Sequence, residues 1–416
     1  MAVLLTVVSL PTYVVRLSVA GIPLTMLEVM ILLCIIVWLW REKILTRLNF
    51  SLRPGQDNPV PKDLRSPIAL ILVTSFVAIF IAGQTSAAWG IWKAYFLEAI
   101  TFFLLVLYLF RWPKDIKLLI IALGVLVVSL LPLALTQWLS GWGIPEAWQA
   151  ASGRRITSVF GYPNAISLLV APIVAFYLGQ LSRRVSRSWF VWSLIVIISG
   201  LSIIFWAQTT GALIALGITA LYLLWRRKEL RPAIIMLLVA VMMTISFWSD
   251  WRQNWQMTIN RVQRQELNLN SSSLEVRINQ WQETSALLAD RPFWGSGLSG
   301  YQQGLTPYHK NQWLEIFLYP HSLFLNFWVE LGLLGLLAFC WLFVRIIQRL
   351  WDKKNQVVDS TLLWGLRAAW LTWFIHGLVD VPYFKNDLSI LFWLLLFLTI
   401  KVSQSHQTVK KSEAIA

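Results

Sequence analysis

Charged residues are scarce in this chain, and acidic residues are scarcer than basic ones. Only 13% of the 416 residues are Asp, Glu, Lys or Arg, whereas 57% are apolar. A soluble globular domain carries roughly a quarter charged residues, so this composition excludes that class. The formal net charge of +15 would suggest a nucleic-acid partner in a soluble chain. Here the basic residues stand between apolar runs, so we expect them to meet the lipid bilayer, and we predict no nucleic-acid partner.

Cysteine and histidine are also rare. Cys34 and Cys340 both lie inside apolar runs, which indicates neither a disulfide nor a metal site. The sequence has no His-Glu-x-x-His, no Asp-x-Asp and no paired cysteines. His376 and Asp380 stand four residues apart and would share one helical face. We interpret this pair as a structural hydrogen bond, and we predict no metal and no cofactor.

Long apolar segments make up most of the chain. A helix needs about 20 residues to cross the hydrocarbon core, and we predict an all-α polytopic membrane protein with about 12 transmembrane helices. The N-terminus has no basic residues before its apolar run, which favours a retained first helix over a cleaved signal peptide. The predicted spans lie near residues 2–18, 23–40, 67–83, 94–110, 116–138, 160–181, 189–208, 212–225, 232–249, 321–344, 361–378 and 388–402.

Lysine and arginine concentrate in alternate loops, and this bias assigns the two sides of the membrane. It predicts that both termini face the cytoplasm. Residues 1–249 then hold helices 1 to 9, and residues 250–320 form one large external loop between the ninth and tenth spans. Residues 321–402 hold helices 10 to 12, and residues 403–416 form a polar cytoplasmic tail that we expect to be disordered.

The external loop has helical periodicity of its own. Ser272-x-x-Glu275 matches a capping box, which would open a helix that stops at Pro292. We expect this helix and an earlier one in the loop to lie in the headgroup layer, where they either line a site or merely cover the bundle. The earlier helix would place Trp251, Trp255, Ile259 and Val262 at helical spacing, and the later one would place Leu274, Ile278, Trp281, Ser285 and Leu288 on one face.

Several polar residues in or near this loop are candidates for a site. Arg277 would contact either lipid phosphate or, with its planar fork of donors, a bound diphosphate. His321 opens the tenth span and is either structural or a general base. Arg154 and Arg155 break the positive-inside bias, either as a tolerated loop pair or as an anion site.

Two charges fall inside apolar helices. Glu330 lies in the tenth span and Arg367 in the eleventh. An intramembrane charge needs a partner, so we predict a Glu330–Arg367 ion pair that serves the architecture of the bundle.

Three passages together resemble the O-antigen ligase and polymerase family of bacterial membrane glycosyltransferases. The shared pattern is Arg-x3-Trp-x10-Pro-x2-Gly-x-Gly followed by Pro-His-Ser/Asn and Glu-x-Gly-x2-Gly. We predict that Gly295, Gly297 and Glu330, which lie in this pattern, are supporting residues, together with His376 and Asp380, which lie outside it. The passages are RRITSVFGYPNAISLL around Asn164, RINQWQETSALLADRPFWGSGLSGY from Arg277, and PHSLFLNFWVELGLLGLLAF, which contains His321.

The resemblance implies transfer of a glycan from an undecaprenyl-type polyprenyl diphosphate to the hydroxyl of a glycan or lipid-glycan acceptor. It implies that the reaction occurs at the outer face without a metal, with Arg277 binding the diphosphate and His321 acting as base. The hydroxyl would attack the anomeric carbon opposite the leaving group, so the transfer would be inverting.

One departure from the family affects the diphosphate site. Where the family often has Ser-Arg-Gly, this chain reads Gln208-Thr209-Thr210-Gly211. Either Arg154 or Arg155 compensates, or diphosphate binding is weaker. The sequence leaves open whether the chain is a lipopolysaccharide ligase or a polysaccharide polymerase. A secondary transporter is the rival class, but transporters place their sites near the midplane in repeated halves, and this sequence shows neither feature.

Overall fold

The structure is a computed structural model. It describes residues 1–19, 22–41, 59–83, 85–110, 113–149, 154–227, 273–310, 314–352 and 360–413. The predicted ninth span and the earlier of the two amphipathic helices lie outside these ranges.

The N-terminal segment is not the transmembrane helix that we predicted for residues 2–18. Helix α1 (Ala2–Val8) gives way to a 3-10 turn (Leu10–Val14) and an antiparallel hairpin of β1 (Arg16–Val19) and β2 (Ile22–Thr25). Pro11 lacks the backbone N–H that would continue an α-helical ladder. Seven residues rise only about 10 Å, a third of the hydrocarbon core. The cytoplasmic placement of the N-terminus depended on this span and does not follow from the observed segment.

The remaining long elements of the described chain are helices. Helix α2 (Met26–Arg41) follows the hairpin, and a π-helical turn (Lys93–Leu97) joins the fourth helix to the fifth. The further helices are α3 (Lys62–Ile81), α4 (Thr85–Trp92), α5 (Glu98–Leu109), α6 (Lys114–Ser140), α7 (Pro163–Leu181), α8 (Arg187–Trp206), α9 (Thr210–Arg227), α10 (Ser273–Asp290), α11 (Tyr301–Leu305), α12 (Leu323–Trp351), α13 (Ser360–Gly377) and α14 (Asn386–Glu413).

Within the described ranges, seven helices are long and apolar enough to cross a membrane. They are α3, α4 with α5, α6, α7, α8, α12 and the first part of α14. This confirms an all-α polytopic membrane protein apart from the short hairpin, while the exact number of spans stays a prediction. The backbone of α14 continues to Glu413, so most of the predicted disordered tail is helical. Its run of Gln and Lys residues favours that extension.

Two of these helices form the centre of the bundle. In α7, 94% of the span is buried and in α14 89%, whereas each of the other spans buries only 44–56% of its residues. The half-buried helices therefore form the wall toward lipid. Helix α13 packs against α7 and α9. Its final turn and the segment that follows therefore lie at one end of the bundle, close to its centre.

The glycines of the external loop let it dock closely onto two helices. Gly295 and Gly297 have φ values of +64° and +75°, a conformation that glycine adopts without strain. A Cβ atom on Gly295 would lie 2.3 Å from the Val329 carbonyl oxygen, and one on Gly297 would lie 2.5 Å from the Ala82 nitrogen. Both glycines thus support the architecture, since they hold the loop against α12 and α3.

The predicted Glu330–Arg367 pair is wrong, because each side chain finds a backbone partner instead. Glu330 accepts a hydrogen bond from the Ser299 N–H at 2.7 Å, which adds a tie between α12 and the docked loop. Arg367 donates twice to the Leu350 carbonyl, at 3.0 and 2.8 Å. That carbonyl belongs to the last turn of α12, where helices leave acceptors unsatisfied.

Candidate active site

The Asp380 carboxylate is the centre of a polar cluster at one end of the bundle. It lies between α13 and α14 and is 1% exposed. Oδ1 accepts the Val381 N–H at 2.9 Å and faces Nδ1 of His321 at 3.4 Å. Oδ2 accepts Nδ2 of Asn164 at 2.9 Å and lies 3.9 Å from the Arg277 guanidinium. The cluster therefore joins residues that are far apart in the sequence.

Asp380 is an anion in this setting. Burial alone would raise the pKa of its carboxyl, but the hydrogen bond with His321 and the nearby positive charge of Arg277 hold that pKa below its ordinary value of 3.8. The cluster contains a fixed negative charge that accepts hydrogen bonds and cannot donate them.

His321 is fixed by its own backbone and by helix α10. Its φ of +46° is a left-handed conformation that side-chain-bearing residues rarely adopt. Gln280 donates to the Tyr319 carbonyl at 3.0 Å, and Trp281 donates to the Pro320 carbonyl at 2.9 Å. These two bonds hold the peptide groups that precede the histidine, so the surrounding structure sustains the strained conformation.

The imidazole of His321 has one nitrogen engaged and one facing outward. The ring packs edge-on against Phe317 and Tyr319, with centroids 5.2 and 5.4 Å away, and its side chain is 15% exposed. Because Asp380 only accepts, we assign the proton of the neutral ring to Nδ1. Nε2 then carries a lone pair and makes no hydrogen bond with the residues that the structure describes. A proton from a bound hydroxyl can be accepted there.

Arg277 holds the turn before Asp380 in place. Nε donates to the Val379 carbonyl at 2.9 Å, and Nη1 donates to the Ser273 Oγ at 2.9 Å. Trp281 stands one helical turn further along α10. One helix thus carries both hydrogen-bond donors. Arg277 binds the turn before Asp380, and Trp281 binds the peptide group before His321.

Arg155 joins the cluster, whereas Arg154 does not. Arg155 donates to Asn164 Oδ1 at 3.1 Å and to the carbonyls of Ala207 at 3.0 Å and Gln208 at 3.3 Å. Burial, followed by the charge of Arg277, lowers the pKa of Arg155 to about 10, so it remains a cation at neutral pH. Arg154 donates to the Trp138 carbonyl at 3.2 Å, at the end of α6. Of the two, only Arg155 contacts the Ala207–Gln208 turn.

His376 is not hydrogen-bonded to Asp380, so that prediction is wrong. The ring is buried beside Gly211, and neither nitrogen has a partner in the described part of the chain. Asp380 lies beyond the end of α13, and both its oxygens face other groups, so the i, i+4 geometry of a helix does not apply. Among the described residues, no group of three or more His, Cys, Asp or Glu side chains is arranged as a metal site.

Helix α10 forms as predicted, but only Leu288 of the predicted face is fully buried. Leu274 is 39% exposed and Ser285 is exposed, whereas Gln280, Glu283 and Thr284 are buried. These polar groups bind the rest of the loop: Glu283 accepts from His309 at 3.0 Å, and Thr284 is 2.8 Å from the Tyr301 hydroxyl. The helix therefore packs against protein through these hydrogen bonds as well as through Leu288, and the polar part of its buried face could not be found from apolar periodicity.

Asn164 is the main residue that the sequence reasoning did not assign. It bridges Arg155 to Asp380 through its amide, at 3.1 and 2.9 Å. The sequence feature nearest to it was the RRITSVFGYPNAISLL passage, which begins with the two arginines that break the charge bias. Nothing in that passage alone indicates a partner more than two hundred residues away.

Comparison with known proteins identifies the central part of the chain. The sequence model of the family described as O-antigen ligase matches residues 194–340. No curated protein matches the chain. The matched range includes Arg277 and His321, whereas Arg155, Asn164 and Asp380 lie outside it. The family indicates an O-antigen ligase-like or polymerase-like activity, with lipid-linked glycan substrates in a membrane. Residues 194–340 of the chain thus match the O-antigen ligase family.

Proposed function

We propose that this protein is a glycosyltransferase that moves a glycan from a polyprenyl diphosphate carrier to an acceptor hydroxyl. The reaction takes place at the outer face of the bacterial plasma membrane, needs no metal and inverts the anomeric carbon. The observation that carries the proposal is the Asp380-bound imidazole of His321 in one cluster with two arginines. A base and fixed cations are what such a transfer requires.

His321 removes the proton from the acceptor. Asp380 holds Nδ1, so Nε2 accepts the hydroxyl proton as the oxygen bonds to the anomeric carbon. The bond between that carbon and the diphosphate oxygen breaks, and the diphosphate leaves with the electron pair. Asp380 orients the ring and stabilises the imidazolium that forms. A single displacement from the opposite side inverts the configuration.

Arg277 and Arg155 stabilise the leaving diphosphate. Each guanidinium is fixed along one edge, Arg277 by Val379 and Ser273 and Arg155 by Ala207 and Gln208. Nη1 of Arg155 makes no hydrogen bond within the described ranges, and Nη2 of Arg277 makes only the 3.9 Å contact with Asp380. Preorganised donors of this kind need no rearrangement when charge develops on a phosphate oxygen.

The position of the cluster supports a reaction at the outer face. His321 precedes α12 and Asp380 precedes α14, whereas Arg349 and Ser403 meet at the opposite ends of these helices. Arg349 belongs to the basic loops that the charge bias assigns to the cytoplasm. A cluster at helix ends also favours a transferase over a transporter, whose site would lie near the midplane.

Reconstitution tests the proposed function. In proteoliposomes we expect transfer from a polyprenyl diphosphate-linked glycan to at least one of two acceptors: a lipid-core glycan, as for a ligase, or a second carrier-linked repeat, as for a polymerase. Transfer should persist after exhaustive chelation. A folded protein that binds the donor and transfers to neither acceptor, or that needs one divalent ion, would contradict the proposal.

The two neighbouring loop arginines give a matched pair of variants. Arg155→Ala should weaken donor binding and lower turnover by roughly tenfold or more, because a buried charge-assisted contact is lost. Arg154→Ala should change both by less than about twofold, since it only caps α6. Donor affinity and turnover in the same liposomes check this. Equal losses in both variants would remove Arg155 from the diphosphate site.

A further inference from the structure

Lys385 is a buried cation that the proposed reaction does not use. It lies between Asp380 and the start of α14, and 8% of the residue is exposed. Its ammonium group lies over three aromatic rings, with Nζ 4.7 Å from the Phe160 centroid, 4.9 Å from Tyr13 and 5.5 Å from Tyr162. Its one ion pair within the described chain is with Asp387, at 3.8 Å, which is longer than a hydrogen bond.

Such a burial is costly unless the surroundings stabilise the charge. Desolvation lowers the pKa of Lys385 from its ordinary value of 10.5, while Asp387 and Asp380 raise it. Aromatic faces attract a desolvated cation by their quadrupoles. The charged and titratable groups that face Nζ are thus Asp387, Asp380, Tyr13 and Tyr162. An apolar side chain would fill the same space without the desolvation cost, so packing alone does not require a lysine here.

The rings around Lys385 belong to different parts of the chain. Tyr13 lies in the 3-10 turn near the N-terminus, while Phe160 and Tyr162 lie in the loop that carries Arg155. Lys385 itself follows the Asp380 turn. One ammonium group therefore holds the N-terminal segment, the Arg155 loop and the Asp380 turn together at the end of the bundle.

A short chain of contacts leads from these rings to the proposed base. The hydroxyl of Tyr162 is hydrogen-bonded to the hydroxyl of Tyr319. The Tyr319 ring packs edge-on against the His321 ring, with centroids 5.4 Å apart. Any displacement of Tyr162 would therefore be passed to the surface on which the imidazole rests.

We propose that Lys385 is a positioning residue for the transfer: its ammonium group holds Tyr162, and the Tyr162–Tyr319 pair holds the imidazole of His321 in its reactive orientation. This inference rests on the proposed role of His321 as base. It predicts that loss of the cation harms turnover more than donor binding, because the guanidinium groups of Arg155 and Arg277 are fixed by their own hydrogen bonds to Ala207, Gln208, Val379 and Ser273.

The test uses the full-length protein in proteoliposomes and compares Lys385→Met with Lys401→Met. Lys401 is a matched control, since it lies on α14 with its ammonium group 5.6 Å from the Phe397 ring. Lys385→Met should keep donor affinity within about twofold and lose turnover by about ten- to a hundredfold, the range expected when a reacting group is slightly misplaced. Lys385→Arg should recover most of that turnover, because guanidinium also binds aromatic faces. Lys401→Met should match the wild type.

A second variant decides the matter where Lys385→Met does not fold. Tyr162→Phe keeps the ring beside Lys385 and removes only the hydroxyl that contacts Tyr319, so it should reproduce the loss of turnover with donor affinity retained. Wild-type turnover in folded Lys385→Met or Tyr162→Phe, or equal losses of affinity and turnover, would overturn the inference. His321→Ala in the same assay separates the two claims: if it is fully active, the proposed function fails, and if only Lys385 and Tyr162 prove dispensable, this inference alone fails.

Discussion

Replacing His321 with alanine should leave donor binding close to normal while turnover falls by about 10²–10⁴, the usual contribution of a general base. The reason is geometric. Nε2 is the outward nitrogen of a ring whose other nitrogen is held by Asp380 at 3.4 Å. The contacts that fix Arg277 and Arg155 do not include this ring. Binding of the labelled donor and single-turnover transfer, measured on the same liposomes, separate the two effects.

His309→Gln is the matched control for that variant. His309 belongs to the same external loop, but its ring contacts the Glu283 carboxylate and the Leu314 carbonyl, which both accept, and the amide of glutamine can still donate there. We expect this control to transfer at close to the wild-type rate. A folded His321→Ala protein that binds the donor and also transfers at the wild-type rate would remove His321 from the mechanism.

Asp380→Asn should have a different signature from His321→Ala. The amide keeps nearly the same shape, but it loses the charge that orients the imidazole, and turnover should fall by on the order of 10²-fold or more. Asp380 also faces Arg277 at 3.9 Å and binds Asn164, so an uncharged side chain loosens the diphosphate site too. Donor affinity should therefore decline together with turnover.

Asp290→Asn controls for the same chemical change outside the cluster. Asp290 lies at the end of α10, where its carboxylate accepts from the Tyr308 hydroxyl at 2.5 Å, and an amide oxygen can still accept that bond. It should behave as the wild type. If Asp380→Asn kept full donor affinity and lost only turnover, the carboxylate would serve His321 alone and would not help to position Arg277.

The sequence predicted those parts of the fold and site that depend on local patterns. Apolar runs of about 20 residues locate membrane helices because lipid leaves no other way to satisfy the backbone. Helix α10 followed from its polar start and from Pro292. Arg277 and His321 were named because cations and titratable groups at a membrane edge require an explanation, and because they stand in a recognisable motif.

The predictions that failed concern partners that are distant in the sequence. Glu330 and Arg367 each bind a backbone group, which a list of charged residues cannot reveal. Asp380 was predicted to bond with His376 on its own helix, but it meets Asn164 and His321 from elsewhere. The first segment was predicted as a span because its composition is apolar, yet Pro11 ends the helix early. Tertiary contacts decided the cases of Glu330, Arg367 and Asp380, whereas the effect of Pro11 is local.

A double-mutant cycle between His321 and Asp380 tests the central claim most directly. If Asp380 promotes transfer mainly by holding the base, its replacement should cost little further once the base is gone. At saturating donor, turnover of the double variant His321→Ala with Asp380→Asn should lie within a few-fold of that of His321→Ala alone, and the small remaining loss is the part that passes through Arg277. Losses that multiply, so that the double variant falls below His321→Ala by the full factor of Asp380→Asn, would show that the two residues act independently and would contradict the account.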